Sequence, residues 1–369
     1  MSGTSLDGVD GVVADFESAS GSTGVRVVAH AKRAFAPALR AELAALNRSG
    51  DDELHRAALA ANALARDYAA LVETLCTAAS LARDEIGAIG CHGQTVRHRP
   101  GEFDGTGYTV QLNAPALLAE LTGIDVVADF RSRDVAAGGQ GAPLVPAFHR
   151  AMFGRAGTMV AVLNLGGIAN LTVVGAAAET IGFDCGPANA LLDLWCERSS
   201  GRAFDADGAA AARGAVDQRL LDALLAEPYF TLAPPKSTGL DLFNARWLDA
   251  RLDGADARAR LRPEDVQATL AELTARVVAD ACRRHAAAAA ELIVCGGGAF
   301  NVDLMRRLAE SLAPMPVVAS DMRGLPADQV EASAFAWLAR AFVARVAGNV
   351  PTATGAAGPR ILGALYPAR

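Results

Sequence analysis

Two short apolar runs joined by a glycine pair constrain this chain more than any other feature. The runs are residues 159–163 and 171–174, and the turn between them contains Gly166 and Gly167. Runs of this length on either side of a glycine turn predict two neighbouring strands. The turn would expose backbone N–H groups, which bind anions when they point into one space. A plain hairpin turn is an equal alternative for the pair alone.

An acid follows these strands in a position suited to chemistry. A short strand is predicted to end at Phe183, Asp184 comes directly after it, and a helix opens through Gly186 and Pro187. A carboxylate just beyond the end of a strand faces ligands from a rigid support. An Asp before a helix is more often a simple N-cap. Cys185 is a weaker candidate, as a nucleophile, because no histidine partner lies near it in the sequence.

Length and composition exclude several classes of protein. The chain has 369 residues, enough for two domains, and a formal net charge of −7 without a large basic cluster. Nucleic acid is therefore not expected as a partner, since binding to phosphate backbones needs a basic face. There is no apolar run long enough to span a membrane and no secretion signal, so no membrane partner is expected. The six cysteines form no CxxC pair, which is typical of reduced core residues in a cytoplasmic protein.

The N-terminal turn is a second candidate anion site. It is rich in Gly, Ser, Thr and Asp and leads into a strand predicted over residues 9–16. Hydroxyl and amide groups in such a turn bind phosphate, and Asp7 and Asp10 suit a hydrated Mg²⁺. An Asp-Gly hairpin is the plain alternative. Because this sequence starts inside the turn, we expect either a preceding strand that it lacks or another way of holding the loop.

Polar groups also follow two later predicted strands. His92 and Gln94 follow the strand predicted at 86–91, and Asp129 and Arg131 follow the one at 124–128. Polar side chains at strand ends line the ligand crevices of α/β proteins. Zinc is disfavoured for His92, because further ligands at metal-binding spacing are lacking. Arg131 suits a carboxylate clamp, and a simple pair between Asp129 and Arg131 is the alternative.

Two features near the C-terminal end add to this pattern. Gly296, Gly297 and Gly298 follow a buried strand, where they would let a flat ring approach the backbone and point a helix N-terminus at phosphate. They do not form a dinucleotide-binding fingerprint. Glu331 lies in an apolar helix predicted over 328–338, as either a buried functional acid or a solvent-facing one. Lys236 and Ser237, after a Pro-Pro pair, suit an anion or an interface.

The order of elements predicts two related α/β halves. A glycine turn and strand near residues 3–16 resemble the strand, glycine turn and strand near 160–174, and each is followed by alternating strands and helices. Long helices are predicted at 51–86 and 263–290 from apolar residues at helical spacing. Two such halves facing each other across a nucleotide cleft would explain the repetition.

Eight ordered motifs resemble those of anhydro-N-acetylmuramic acid kinases, in the actin, hexokinase and Hsp70-like ATPase superfamily. They span essentially the whole chain and lie at residues 1–10, 92–95, 129–131, 138–146, 164–170, 183–187, 235–239 and 295–298. Three positions depart from the family pattern, namely Cys185, Ala188 and Leu240. The family also has a strand before the N-terminal turn.

The resemblance implies an actin-like ATPase fold, α/β, with two ribonuclease H-like domains flanking a nucleotide cleft. Domain I would comprise residues 1–128 and 337–369, with the N-terminal phosphate loop and part of the substrate site. Domain II would comprise 129–336, with the catalytic Asp, the second phosphate loop and the adenosine-side glycine loop. A cytoplasmic homodimer is implied as well.

The implied reaction opens the 1,6-anhydro bond of anhydro-N-acetylmuramic acid with water and phosphorylates the freed O6, using ATP and Mg²⁺. Asp184 would be the general base and Glu331 would position the water; His92, Gln94 and Arg131 would bind this amino sugar. The implied nucleotide contacts are Gly3, Thr4, Ser5, Leu6, Asp7, Gly8, Val9, Asp10, Gly166, Gly167, Gly296, Gly297 and Gly298, with Asp7 and Asp10 near the metal. A related sugar or acetate kinase and a non-catalytic actin-like nucleotide switch are the alternatives.

Overall fold

The computed structural model describes residues 1–3, 6–19, 22–177 and 179–369. Thr4 and Ser5, two of the predicted phosphate contacts, lie outside the described residues. The strands are β1 Gly8–Ala19, β2 Ser22–Ala34, β3 Ile89–Gly90, β4 Gln94–Pro100, β5 Gly107–Leu112, β6 Val126–Ala128, β7 Val160–Leu165, β8 Ile168–Val174, β9 Thr180–Pro187, β10 Leu292–Cys295, β11 Val317–Ala319 and β12 Ala364–Tyr366.

The helices alternate with these strands and confirm the α/β class. They are α1 Pro37–Ala45, α2 Glu53–Ala79, α3 Pro115–Thr122, α4 Ser132–Val135, α5 Val145–Phe153, α6 Asn189–Ser200, α7 Ala209–Arg213, α8 Gln218–Leu225, α9 Ala245–Gly254, α10 Ala257–Arg260, α11 Pro263–His285, α12 Val302–Leu312, α13 Val330–Val343 and α14 Pro351–Thr354. Within the described ranges no helix is long and apolar enough to cross a membrane.

The chain divides into two compact units. Unit 1 comprises residues 1–152 and 329–369, and unit 2 comprises 153–328. These limits differ from the predicted domain boundaries at 128/129 and 336/337. The second predicted boundary falls inside α13, a continuous helix that begins at Val330.

A buried carboxylate ties the segment after β6 to unit 1. Asp134 is fully buried, and its side chain accepts hydrogen bonds from Asn349 Nδ2 at 2.7 Å and Thr354 Oγ1 at 2.8 Å. The Gly141 amide donates to the same carboxylate at 2.8 Å. Residues 129–152 therefore belong with the C-terminal segment, although the sequence alone placed them in domain II.

Unit 2 is built on a five-stranded mixed sheet. Its strand order is β11-β10-β7-β8-β9. Strand β10 is parallel to β7, whereas β8 is antiparallel to both of its neighbours, β7 and β9. One face packs against α6, α8 and α11 in a core that includes Leu163, Leu171 and Phe183. Helix α11 begins as the sequence predicts: Pro263 occupies its first turn, and the Asp265 side chain accepts from the Arg262 backbone N–H at 3.3 Å.

Unit 1 combines a three-stranded sheet with two hairpins. The sheet has the order β12-β6-β3, and the hairpins are β1-β2 and β4-β5. Met1 is held beside β1 by a reciprocal pair of hydrogen bonds: its amino group donates to Asp10 O, and the Asp10 amide donates to Met1 O, both at 2.8 Å. The N-terminal turn is therefore anchored through Met1.

Several predicted elements have other limits in the structure. Helix α2 ends at Ala79 rather than near residue 86, because Ser80 takes a left-handed conformation with a φ of 55°. The strand predicted at 86–91 is limited to β3 at Ile89–Gly90, and the following polar segment enters strand β4, which pairs with β5 from Gln94 onward. Strand β11, beside β10 at the edge of the unit 2 sheet, was not predicted.

Candidate active site

Three polar side chains form a row across the unit 2 sheet. Asn164 on β7 pairs with Asn170 on β8, and Asn170 pairs with Asp184 on β9. Paired residues on neighbouring strands project to the same face, about 4.8 Å apart per strand. The row therefore places Asp184 roughly 10 Å from Asn164.

Asp184 lies inside strand β9, not beyond its end as the sequence predicted. The β8–β9 register shifts at this point, since Asn170 faces Asp184 whereas the preceding residue, Ala169, faces Gly186. Cys185 is thus the extra residue of a β-bulge. A bulge bends its strand and redirects the neighbouring side chains, as it often does beside active sites. The strand continues to Pro187 because β8 still offers it a partner.

Both carboxylate oxygens of Asp184 are held by hydrogen-bond donors. Asn170 Nδ2 donates to Oδ1 and the Thr238 amide donates to Oδ2, each at 2.9 Å. Burial raises the pKa of this carboxyl, while the Asn170 and Thr238 hydrogen bonds and the charge of Lys236 act in the opposite direction. A carboxylate with a raised pKa that stays half-buried is suited to accept a proton near neutral pH.

The segment from Tyr229 to Thr238 also forms hydrogen bonds with the backbone of Asp184. Tyr229 donates its hydroxyl to Asp184 O at 2.9 Å, and the Asp184 amide donates to Lys236 O at 3.1 Å. Lys236 Nζ donates to Tyr229 O at 3.1 Å and lies 4.6 Å from the centre of the Tyr229 ring. The Lys236 ammonium, which was predicted to suit an anion, therefore contacts Tyr229 of its own segment. Ser237, predicted together with it, is exposed.

The glycine turn after β10 lies beside the end of β7. Gly296 has a φ of +82°, and a Cβ there would come within 2.4 Å of Asn164 Oδ1. A Cβ on Gly298 would come within 2.5 Å of Leu165 Cβ. The turn therefore packs closely against β7, while the approach of a flat ring to these glycines stays a prediction. Since β10 and β7 are parallel neighbours, both of their following turns emerge at the same end of the sheet.

The turn at Gly166 and Gly167 packs on the start of α6. Gly166 O accepts from the Asn189 amide at 3.1 Å, and Gly167 O accepts from the Ala188 and Ala190 amides at 3.0 and 3.1 Å. The first amides of this helix, which often bind anions, are thereby satisfied by the turn itself. Any phosphate contact in this region has to come from the glycine turns rather than from the helix N-terminus.

In unit 1 the N-terminal residues pack against the strand that follows His92. Gln94 Nε2 donates to Gly3 O at 3.1 Å, and Ser2 Oγ donates to Gly93 O at 2.9 Å. Leu6 closes the turn by donating its amide to Gly3 O at 3.4 Å with a φ of 54°. Two motifs that lie about ninety residues apart in the sequence are therefore neighbours in the structure.

The later part of the predicted phosphate loop is strand. Gly8, Val9 and Asp10 belong to β1 and pair with Ala34, Arg33 and Lys32. Val9 is buried, and the Asp10 amide is engaged by Met1. Gly8 is required there because a Cβ would lie 2.2 Å from Arg33 O.

His92 and Arg131 contact each other directly. Arg131 donates from Nε at 3.1 Å and from Nη2 at 3.0 Å to His92 Nε2, and from Nη1 to Gly141 O at 2.7 Å. Burial, and then the charge of Arg131, place the His92 pKa well below its usual value, so the ring is neutral. With Nε2 accepting, Nδ1 carries the proton, and this buried atom has no hydrogen-bond partner within residues 1–3, 6–19, 22–177 and 179–369. Gln94 Oε1 is a second buried polar atom without a partner in these ranges.

Asp129 does not pair with Arg131, since its side chain accepts from Ser132 Oγ. Glu331, in the first turn of α13, is accessible to solvent although protein atoms crowd around it. That crowding raises the pKa of its carboxyl, and the charge of Arg131 lowers it. Glu331 and Arg131 are therefore close enough to interact electrostatically within unit 1.

The two acids predicted to face Mg²⁺ differ in their surroundings. Asp10 Oδ1 lies 2.8 Å from His30 Nε2, and Oδ2 lies 3.9 Å from Lys32 Nζ, so protein groups already engage this carboxylate. Asp7 is exposed, and carboxylate oxygens are ligands that a hydrated Mg²⁺ accepts. The assignment of both acids to the metal stays a prediction.

Cys185 is buried, and burial places its pKa well above the usual value. A thiol with a raised pKa is a poor nucleophile at neutral pH. The same holds for the buried thiol of Cys282, where burial raises the pKa to about 12. These cysteines are core residues, as expected from the composition.

Two residues around Asp184 were not among the predicted site residues. Asn170 was quoted only as part of a motif, and its place opposite Asp184 depends on the bulge. Thr238 lies 54 residues from Asp184 in the chain, so no local pattern connects them. The Pro-Pro pair before Lys236 was the available signal for this segment.

A comparison with protein families settles which of them the chain resembles. The model of the anhydro-N-acetylmuramic acid kinase family matches residues 1–368. The chain belongs to the anhydro-N-acetylmuramic acid kinase family. Members of this family with the same name include a protein from Variovorax paradoxus, 59% identical over 373 residues, with 100% of this chain and 98% of the relative covered.

A second family member comes from Bordetella petrii and is 60% identical over 369 residues, covering 100% of this chain and 95% of the relative. Among solved structures, the chain is similar to the activator of the 2-hydroxyisocaproyl-CoA dehydratase from Clostridium difficile with bound ADPNP. That likeness has 11% sequence identity, covers 83% of each chain and has a TM-score of 0.42. The family assignment therefore comes from the sequence relatives.

Replacing Asn170 by Ala should move the pH profile of turnover. Asn170 stabilises the ionised form of Asp184, so its loss raises the pKa of that carboxyl further. With Asp184 as the base proposed below, which must be ionised to act, the acid limb of kcat should shift to higher pH, and activity should fall more at pH 6 than at pH 8. Asn47→Ala, at an exposed asparagine of unit 1, should leave the profile in place. An unshifted limb in the Asn170 variant would contradict this role.

Proposed function

We propose that this chain is an ATP-dependent kinase of cell-wall recycling. It opens the 1,6-anhydro ring of anhydro-N-acetylmuramic acid with water and phosphorylates O6, giving N-acetylmuramic acid 6-phosphate. Membership of the family over residues 1–368 and relatives near 60% identity along the whole chain support this activity. The structural observation that carries it is the half-buried Asp184 carboxylate. It lies in one row with Asn170 and Asn164, and Asn164 is on β7, the strand that leads into the turn at Gly166 and Gly167.

Asp184 acts as the general base for ring opening. A water molecule gives one proton to the carboxylate while its oxygen forms a bond to C1 of the sugar. The C1–O6 bond breaks in the same step, and its electron pair remains on O6. General-base catalysis of this kind contributes about 10²- to 10⁴-fold in rate. The bulge at Cys185 and the two donors on the carboxylate hold the base in one orientation.

The freed O6 then receives the γ-phosphoryl group of ATP, and the bond between the β and γ phosphates breaks to leave ADP. Negative charge spreads over the phosphoryl oxygens during the transfer, so fixed N–H groups stabilise it. The turns at Gly166–Gly167 and Gly296–Gly298 are the proposed sources of these groups in unit 2. Mg²⁺, proposed near Asp7, would neutralise part of the charge on the phosphates.

His92 and Gln94 are the proposed sugar contacts of unit 1. Each has one buried polar atom without a hydrogen-bond partner in the described part of the chain, His92 Nδ1 and Gln94 Oε1. Buried polar atoms in native proteins are normally satisfied, so such atoms are candidates to bind ligand groups. One is a donor and the other an acceptor, which suits the hydroxyl and amide groups of an amino sugar.

Three assignments stay predictions from the resemblance: Glu331 as the group that positions the water, Arg131 as the partner of the lactyl carboxylate, and Gly3 to Asp7 as nucleotide contacts. Arg131 already donates to His92 and Gly141, so it would share its guanidinium with the substrate. A cytoplasmic homodimer is proposed on the same ground, and light scattering of the purified protein would measure the oligomeric state.

The activity is tested by giving the purified protein Mg-ATP with one candidate acceptor at a time. Formation of ADP should depend on anhydro-N-acetylmuramic acid, and the product should have the mass of N-acetylmuramic acid 6-phosphate. ADP formation that instead requires an ordinary sugar or acetate would identify the related kinase. Slow ATP hydrolysis independent of any acceptor would identify a nucleotide switch. Either outcome would overturn the proposal.

A further inference from the structure

Near Asp184 lies a buried hydroxyl without a hydrogen-bond partner among the residues that the structure describes. Thr238 Oγ1 is shielded from solvent and makes no hydrogen bond to any of them, although the amide of the same residue donates to Asp184 Oδ2 at 2.9 Å. The hydroxyl therefore belongs to a residue whose amide contacts the carboxylate directly. Thr238 was named by the sequence only as part of a motif.

Hydrogen bonds hold the backbone around Thr238 against the proposed base. The Asp184 amide donates to Lys236 O at 3.1 Å, and Tyr229 donates its hydroxyl to Asp184 O at 2.9 Å. Beyond Thr238, the Phe243 amide donates to Gly239 O at 3.0 Å and closes the following turn. Thr238 is thus held between contacts on both sides and cannot turn away without breaking the bond to Asp184.

A buried hydroxyl without a partner destabilises the folded protein, because it loses its hydrogen bonds to water and gains none in exchange. Valine has the same shape without that loss. A threonine at such a place is explained when a ligand or a bound water supplies the partner. The amide of the same threonine donates to the proposed general base, so a water bound at this carboxylate is the candidate partner.

We propose that the Thr238 hydroxyl accepts a hydrogen bond from the water that attacks the sugar, and so takes the positioning role that the resemblance gave to Glu331. This inference rests on the proposed function. The water would donate one hydrogen to Asp184 and the other to Thr238 Oγ1, which leaves a lone pair of its oxygen directed at C1. Only the proton on the Asp184 side is transferred; the threonine keeps its own proton throughout.

The chemistry of the carboxylate allows this arrangement. Each carboxylate oxygen can accept two hydrogen bonds. Oδ2 uses one site for the Thr238 amide and Oδ1 uses one for Asn170 Nδ2, so sites remain for the water. Two acceptors fix both O–H bonds of the water, whereas Asp184 alone would leave it free to rotate. Orientation of a reactant in this way lowers the barrier of the chemical step.

The test compares Thr238→Val and Thr238→Ser with the wild type. Valine keeps the shape and the amide on Asp184 but removes the hydroxyl, so kcat should fall roughly 10- to 100-fold with a KM for the sugar within about threefold of the wild-type value. Serine restores the hydroxyl and should recover most of kcat. The melting temperature of the valine variant should be unchanged or higher, because an unpartnered buried hydroxyl is gone.

Thr231→Val is the matched control. Its hydroxyl belongs to the same segment but is exposed and donates to Pro228 O at 2.9 Å, so kcat should not change. A Thr238→Val enzyme with wild-type kcat would overturn the inference, and so would a raised KM at unchanged kcat, which would show a ground-state contact with substrate. Failure of the wild-type protein to turn over the anhydro sugar would overturn the proposed function instead.

Discussion

Asp184→Asn should reduce kcat by about 10²- to 10⁴-fold, the range that a general base contributes. The amide has nearly the shape of the carboxylate but cannot accept a proton from the attacking water. Measurement of sugar-dependent ADP formation under saturating substrates would give kcat directly. The KM for ATP should change little, since the substitution leaves the glycine turns in place.

Asp222→Asn provides the control for this substitution. Asp222 is an exposed acid of unit 2 on α8, where it accepts from Gln218 Nε2, so its replacement should leave kcat unchanged. An asparagine at position 184 could also lower kcat by disturbing the local structure, because Asn170 and the Thr238 amide both donate to the side chain there. A melting temperature equal to that of the wild type would exclude a structural cause of the lower kcat. Near-normal turnover in the folded Asp184 variant would remove Asp184 as the base.

Asp134→Ala should destabilise unit 1 by roughly 3–5 kcal/mol, the usual effect of removing one partner of a buried charged network. Asn349 Nδ2, Thr354 Oγ1 and the Gly141 amide would all lose their acceptor. The C-terminal segment would then be held less firmly to residues 129–152. Urea unfolding followed by circular dichroism would report the change as a lower midpoint.

Asp104→Ala is the control for burial. Asp104 also accepts from backbone amides, those of Thr106 and Gly107 at 3.0 and 2.9 Å, but it is exposed. Water can replace the lost acceptor there, so the unfolding midpoint should fall much less than in the Asp134 variant. Equal midpoints for the two variants would contradict the role assigned to the buried carboxylate.

Local sequence patterns predicted much of the fold because their causes are local. Helix α11 starts at Pro263 as predicted, and the turn at Gly296 needs the left-handed backbone that only glycine adopts without strain. The strands around Gly166 and Gly167 follow from two apolar runs and a glycine turn. In each case the residues that determine the element lie within it.

The parts that were missed depend on contacts between distant residues. Strand β9 passes through Asp184 because β8 continues to pair with it across a bulge. Arg131 and His92, 39 residues apart, were predicted separately as sugar contacts, and their mutual hydrogen bond could not be foreseen. The limits of unit 1 depend on Asp134 and its partners more than 200 residues later. No periodicity in one segment encodes such pairings.

Ring opening by water at C1 is tested most directly in ¹⁸O-labelled water. The wild-type product should contain one ¹⁸O in the sugar, at C1, and none in the transferred phosphoryl group. Unlabelled N-acetylmuramic acid 6-phosphate in the same water would measure spontaneous exchange of the anomeric oxygen, and the reaction should be stopped well before that exchange is significant. A product without ¹⁸O at C1, formed at the wild-type rate, would contradict the mechanism.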